Sequence, residues 1–223
     1  MVSHNIDFKN PVWNIIELQS AIILTGGKST RMGMNKAFVN LLGKPLISWS
    51  VDSLSKLVDD LIVVSRNEEE AKLYEKMLPE RVRLVSDDSD LEGPLVGIQA
   101  GFKVAKSDYC YVHPIDSPVV KKEIIEYLFR QAKNFDGAVW RVQDNLIDPL
   151  HAVYQVSSAL KASERILTTG NTSAKVLSKE LHLNLLSIED LQSLDNDLIS
   201  LYNINTPSDV EFAENRFKSI SAL

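Results

Sequence analysis

Short β-branched and aromatic runs recur along the chain: SAIILT at 20–25, LIVVS at 61–65, VRLVS at 82–86, YCYVHPI at 109–115 and GAVWRV at 137–142. Between them lie longer stretches with helical periodicity, PLISWSVDSLSKL, EEEAKLYEKML, PLVGIQAGFKVA and KKEIIEYLFRQAK. Parallel strands cannot be joined by a tight turn, so strand and helix in alternation mean crossover units. The pattern predicts a doubly wound α/β fold: a mostly parallel sheet with helices on both faces, in three layers. Beyond residue 143 the rhythm loosens. LHAVYQV reads as a strand, SSALKASERILTTG as a helix ending at Gly170, SAKVLSKE as a helix, and LISLYNINT as a last strand before a helix opening at Thr206-Pro207.

Length supports one core. The 223 residues contain no repeat, low-complexity tract or linker, so residues 18–223 are expected to form a single domain and residues 1–17 an extension. A net charge of −6 argues against a nucleic-acid coat, which needs a broad basic face. One cysteine, Cys110, excludes a disulfide framework or a cysteine-rich metal site within the chain. No run approaches the length of a membrane span and the first residues lack a secretory pattern, so the expectation is a cytoplasmic protein with no membrane partner.

The chemistry concentrates after the first strand, in LTGGKSTRMGMNK at 24–36. Glycines at 26 and 27 open backbone angles closed to other residues and leave successive N–H groups free to face an anion; Lys28, Arg31 and Lys36 add full charges. These are the parts of a phosphate cradle, placed where open α/β sheets bind ligands. A Walker A loop would need glycine at 22, where Ile22 stands, and a dinucleotide fingerprint would need its glycines at G-x-G-x-x-G spacing. Neither template fits.

LTGGKSTRMGMNKA resembles the L-A-G-G-x-S-x-R-M-G-x-D-K-A signature of the molybdenum cofactor guanylyltransferases. LEGPLVGIQAGF at 91–102, PIDSP at 114–118, DPLHAVY at 148–154 and NINTPSD at 203–209 resemble four further elements of that family, in family order. Thr25 stands for the usual alanine, Asn35 for the aspartate before the lysine, Val96 for an alanine and Ile115 for a cysteine. If that aspartate orients the lysine, Asn35 alters nucleotide binding.

The resemblance implies a nucleotide-diphospho-sugar-transferase-like fold and transfer of GMP from GTP to molybdopterin, with pyrophosphate released. Two polyanions must meet, so Mg²⁺ and fixed cations are expected. Asp116, at the mouth end of its strand, is the expected metal ligand, and Arg31 and Lys36 the cations on the phosphates. Leu24, Thr25, Gly26, Gly27, Ser65, Asp87, Gly93, Pro94 and Leu95 complete the expected nucleotide site, Asp87 and the Gly93-Pro94-Leu95 turn serving the guanine or ribose. Asn203, Asn205 and Thr206 fall either on the pterin side or, for Thr206, at a helix cap. Transient protein partners of cofactor synthesis belong to the same expectation. A related enzyme using CTP, or a binding protein without catalysis, are the alternatives. CTP users of this fold tend to carry a methyl group where Gly26 stands.

Overall fold

A computed structural model describes residues 18–26, 35–87, 89–143 and 146–220, without the side chains of 218–220. The expected extension at 1–17 lies outside the described residues. In chain order the elements are β1 (Ser20–Leu24), a hairpin of β2 (Asn40–Leu41) and β3 (Lys44–Pro45), α1 (Leu46–Leu54), β4 (Asp60–Ser65), α2 (Glu68–Glu75), β5 (Arg83–Ser86) and α3 (Pro94–Val104). There follow β6 (Tyr109–Pro114), α4 (Lys122–Ala132), β7 (Gly137–Gln143), β8 (Leu146–Gln155), α5 (Val156–Thr168), α6 (Ala174–Glu180), β9 (Asn184–Leu186), α7 (Ile188–Leu194) and α8 (Pro207–Ile220).

Seven strands form one sheet in the order β5-β4-β1-β6-β8-β7-β9. The first four run parallel, β8 is antiparallel to both of its neighbours, and β9 runs parallel to β7. Side chains alternate across β1: Ala21 and Ile23 join the cluster under α1, α4 and α8, while Ile22 and Leu24 join that under α3, α5 and α6. A strand buried on both faces in this way needs an unbroken apolar run, which SAIIL supplies. The three-layer α/β fold expected from the sequence is the one observed.

Several elements differ from the expectation. LISLYNINT is not a strand: Ile199–Leu201 is one turn of 3₁₀ helix, entered through Leu198 at φ 51°, and the rest is extended chain without a ladder. Asp195 explains this. Its buried carboxylate accepts from the Ser200 N–H at 2.8 Å and Ser200 Oγ at 2.7 Å and holds the segment curled. The last strand is instead β9, only three residues long, and α7 follows it with Ser187 as cap. The hairpin β2–β3 turns through Leu42 and Gly43 at φ 52° and 79°, the successive left-handed pair of a tight two-residue connection.

Three buried titratable groups, Asp60, Asp195 and His113, contribute to the acid stability. Burial raises the carboxyls of Asp60 and Asp195, but hydrogen bonds and charge outweigh it: Ser20 and Arg83 on Asp60, Lys121 and Ser200 on Asp195, so both end below 3.8. Burial pushes His113 well below 6.5, and the neighbouring His151 adds to the effect. The unfolded chain therefore takes up a proton at His113 that the folded chain resists, and stability falls as pH drops below about 6.5. The depressed carboxylates stabilise the fold above 3.8 and lose that contribution as pH falls through their folded values. Melting temperature against pH is expected to fall in these two stages, and His113→Asn to flatten the first while leaving the second.

Candidate functional site

The chain runs outward from β1 to β4 and β5, then returns to the other side of β1 as β6. Strand order reverses between β1 and β6, and beyond the carboxyl ends of strands at such a point lies the crevice in which open α/β sheets bind ligands. Leu24 pairs with Pro114 across this point, and the Ile115 N–H donates to the Leu24 carbonyl at 3.1 Å. The end of β1 and the turn after β6 are thereby fixed side by side.

Asp116 sits on that turn with its carboxylate 22% exposed, and Lys36, 16% exposed, donates to its Oδ2 at 2.8 Å. The two residues are 80 positions apart in sequence. Lys36 Nζ donates a second bond, 2.6 Å, to Asn205 Oδ1. Asn205 reaches this point because 203–206 is strapped to the turn. The Ile204 N–H donates to the Asp116 carbonyl at 2.8 Å and Ser117 Oγ to Asn203 Oδ1 at 2.5 Å. Asp209 closes the start of α8, accepting from the Asn205 and Thr206 N–H groups at 2.8 Å each, while Thr206 Oγ1 accepts from the Asp209 N–H at 3.3 Å. Thr206 is thus a helix cap, and the Asn205 side chain faces the lysine. Its signal in the sequence was the N-x-N-T-P-x-D spacing at 203–209, which fixes where the cap leaves the preceding side chain.

The other expected residues divide. Gly27 and Arg31 lie outside the described residues. Gly26 does not use the left-handed region, and an added Cβ would meet nothing within 4 Å, so neither backbone angle nor packing requires glycine there. Thr25 is buried, its Oγ1 donating to the Val64 carbonyl at 2.8 Å. Leu24 and Leu95 turn their side chains into the core, the Leu24 carbonyl is taken by Ile115, and the Leu95 N–H is spent on the Thr172 carbonyl at 3.0 Å.

Ser65 needs a correction. Its side chain is buried and its hydroxyl donates to the Asn67 carbonyl at 3.0 Å, beside the Val85 carbonyl and Ser86 Oγ, so it ties strand ends together and is not presented to a nucleotide. Asp87 follows β5 on the same sheet edge, with its N–H bonded to the Ser65 carbonyl at 3.0 Å. It stands three strand spacings from β6, about 14 Å at the usual interval, at the far end of the crevice from Asp116. Gly93, at φ 151°, and exposed Pro94 open α3 against Thr172. Asn35 makes no direct bond to the lysine amine: its Oδ1 accepts from the Ala37 N–H at 2.9 Å and caps the 3₁₀ turn Lys36–Phe38.

Among the described residues no three His, Cys, Asp or Glu side chains gather as a metal cage. The lone Asp116 carboxylate fits a hard cation that takes most of its oxygens from phosphate and water. No helix among the described residues is long and apolar enough to cross a membrane.

Residues 21–183 match the MobA-like NTP transferase domain. The chain belongs to that family. It is 31% identical over 199 residues to the probable molybdenum cofactor guanylyltransferase of Methanosarcina acetivorans, covering 86% of this chain and 88% of the relative. It is also 31% identical to the molybdenum cofactor guanylyltransferase of Desulfosudis oleivorans, covering 90% and 96%. Among solved structures, molybdopterin-guanine dinucleotide biosynthesis protein A from Archaeoglobus fulgidus superposes with a TM-score of 0.79 at 30% identity, covering 90% of this chain and 99% of that one. The chain is a nucleotidyltransferase by family, and the Lys36–Asp116 pair stands at the switch point of its sheet.

Proposed function

We propose that this transferase moves GMP from GTP to the terminal phosphate of molybdenum-loaded molybdopterin. An oxygen of the acceptor phosphate attacks the α-phosphorus, the bond from that phosphorus to the bridging oxygen breaks, and pyrophosphate leaves. The observation that carries the reading is the Lys36–Asp116–Asn205 cluster at the β1/β6 crevice. The relatives named for guanylyl transfer support the choice of nucleotide and acceptor.

In this reading Lys36 binds the α-phosphate and offsets charge as the transfer proceeds, and Arg31 neutralises the β and γ phosphates. Asp116 would hold Mg²⁺ together with phosphate oxygens; when bound, the ion supplies Lewis-acid charge neutralisation between two polyanions. The ion pair seen here is a resting arrangement. Lys36 keeps Asn205 as a neutral partner when the Asp116 carboxylate is engaged elsewhere. Positioning and charge suffice for phosphoryl chemistry of this kind, so no covalent nucleophile is needed. Gly26, Gly27, the Gly93-Pro94-Leu95 turn and Asp87 line the nucleoside end, the open space over Gly26 favouring a purine. The reaction belongs in the cytoplasm, where transient partners deliver a labile acceptor.

Purified protein incubated with loaded molybdopterin, Mg²⁺ and each of GTP, CTP and ATP is expected to give the guanine dinucleotide, resolved by chromatography and mass. A cytosine dinucleotide as the main product would overturn the guanylyl assignment, and no dinucleotide with any nucleotide would leave a binding protein.

A further inference from the structure

Asn35 uses both ends of its amide. While Oδ1 caps the turn that begins at Lys36, Nδ2 donates to the Tyr74 hydroxyl at 2.8 Å. Tyr74 lies fully buried on α2, and its ring packs on Phe38, the last residue of the same turn, with centroids 5.5 Å apart. One side chain therefore grips the turn on both flanks of Lys36, by its hydroxyl at 35 and by its ring at 38. Thr25 spends its own hydroxyl elsewhere, its Oγ1 donating to the Val64 carbonyl at 2.8 Å.

We propose that Tyr74 is a positioning residue for nucleotide binding: through the Asn35 cap and the Phe38 contact it sets the place of the Lys36 amine at the crevice. Tyr74 itself touches no ligand. The inference rests on the reading of Lys36 as a phosphate ligand, and α2 becomes part of the nucleotide site although it contributes nothing to the crevice wall.

The test is a mutant cycle read by calorimetric GTP binding with Mg²⁺ and no acceptor. Lys36→Ala is measured first; affinity equal to the parent's would remove Lys36 from phosphate binding and so dispose of the functional reading itself. With Lys36 present, Tyr74→Phe keeps the ring contact and loses the hydroxyl. It is expected to weaken GTP several-fold, up to about tenfold, the worth of one buried hydrogen bond. In the Lys36→Ala background the same change is expected to have no effect, because the group it positions is gone. An equal loss in both backgrounds, or no loss in either, sinks the inference while leaving the functional reading intact. Asn35→Asp, which retains both contacts, is expected to stay within about twofold of the parent, and Asn35→Leu to match Tyr74→Phe. That last pair carries the test if Tyr74→Phe does not fold.

Discussion

Asp116→Asn is expected to lower turnover by about 10²- to 10³-fold, the usual cost of removing one preorganised charge from a site of charge transfer, while weakening GTP far less. Asparagine matches aspartate in shape, so the turn after β6 should hold: its backbone is fixed by the Ile204 N–H on the residue's carbonyl and by Ser117 on Asn203. Lys36 also keeps a place, because Asn205 Oδ1 accepts from it at 2.6 Å and the new amide oxygen can accept as well. Only the negative charge that would hold the metal is lost. Single-turnover transfer and calorimetric GTP binding on the same preparation separate the two effects. Equal losses in binding and rate would make Asp116 a binding residue alone, and an unchanged rate would remove it from the mechanism.

The sheet was readable from the chain because its strands are buried on both faces and so are apolar throughout, as in SAIIL and DLIVVS. The meeting of Lys36 with the aspartate after YCYVHP was readable for a related reason: each follows a central strand, and ligands in such sheets lie at strand carboxyl ends. The pieces that escaped are held by contacts with no local pattern. Strand β9 is three residues long and owes its existence to pairing with β7. The curl at 199–201 depends on Asp195, whose carboxylate also takes Lys121 from the start of α4 at 2.6 Å, a partner 74 residues away. Ser65 was expected at the nucleotide because of the position that the resemblance gives it at the end of LIVVS, but whether a strand-end hydroxyl faces out or in depends on the neighbouring strand, here the Val85 carbonyl and Ser86 of β5. Tyr74 in EEEAKLYEKML gave no sign beyond being the buried aromatic of a charged helix. Its hydroxyl acquires meaning only when Asn35 arrives from 39 positions away in the chain.

Gly93→Ala is expected to be the most damaging single methyl at the crevice. The backbone there has φ 151°, a region L-residues rarely enter, and an added Cβ would lie 2.3 Å from Thr172 Oγ1, 2.5 Å from its Cβ and 2.9 Å from its carbonyl oxygen. The hydroxyl can rotate away; the Cβ and the carbonyl cannot, because both are set by the Thr172 backbone, whose carbonyl accepts the first free N–H of α3, that of Leu95, at 3.0 Å. Relief must come from moving the 170–173 turn off the helix start or from unwinding Pro94, and either breaks that bond. Strain and overpacking together should cost about 2–4 kcal/mol, or roughly 5–15 °C in melting temperature for a domain of this size. Thr172→Ala in the same chain should recover the part due to the Oγ1 clash, with the backbone strain remaining. Because the turn also lines the proposed nucleoside end, KM for GTP should rise in the Gly93→Ala enzyme at temperatures where it is fully folded. A melting temperature within about 2 °C of the parent, less than the shift for 1 kcal/mol, would mean that Thr172 yields freely and that the close packing of α3 on this turn is not what requires glycine.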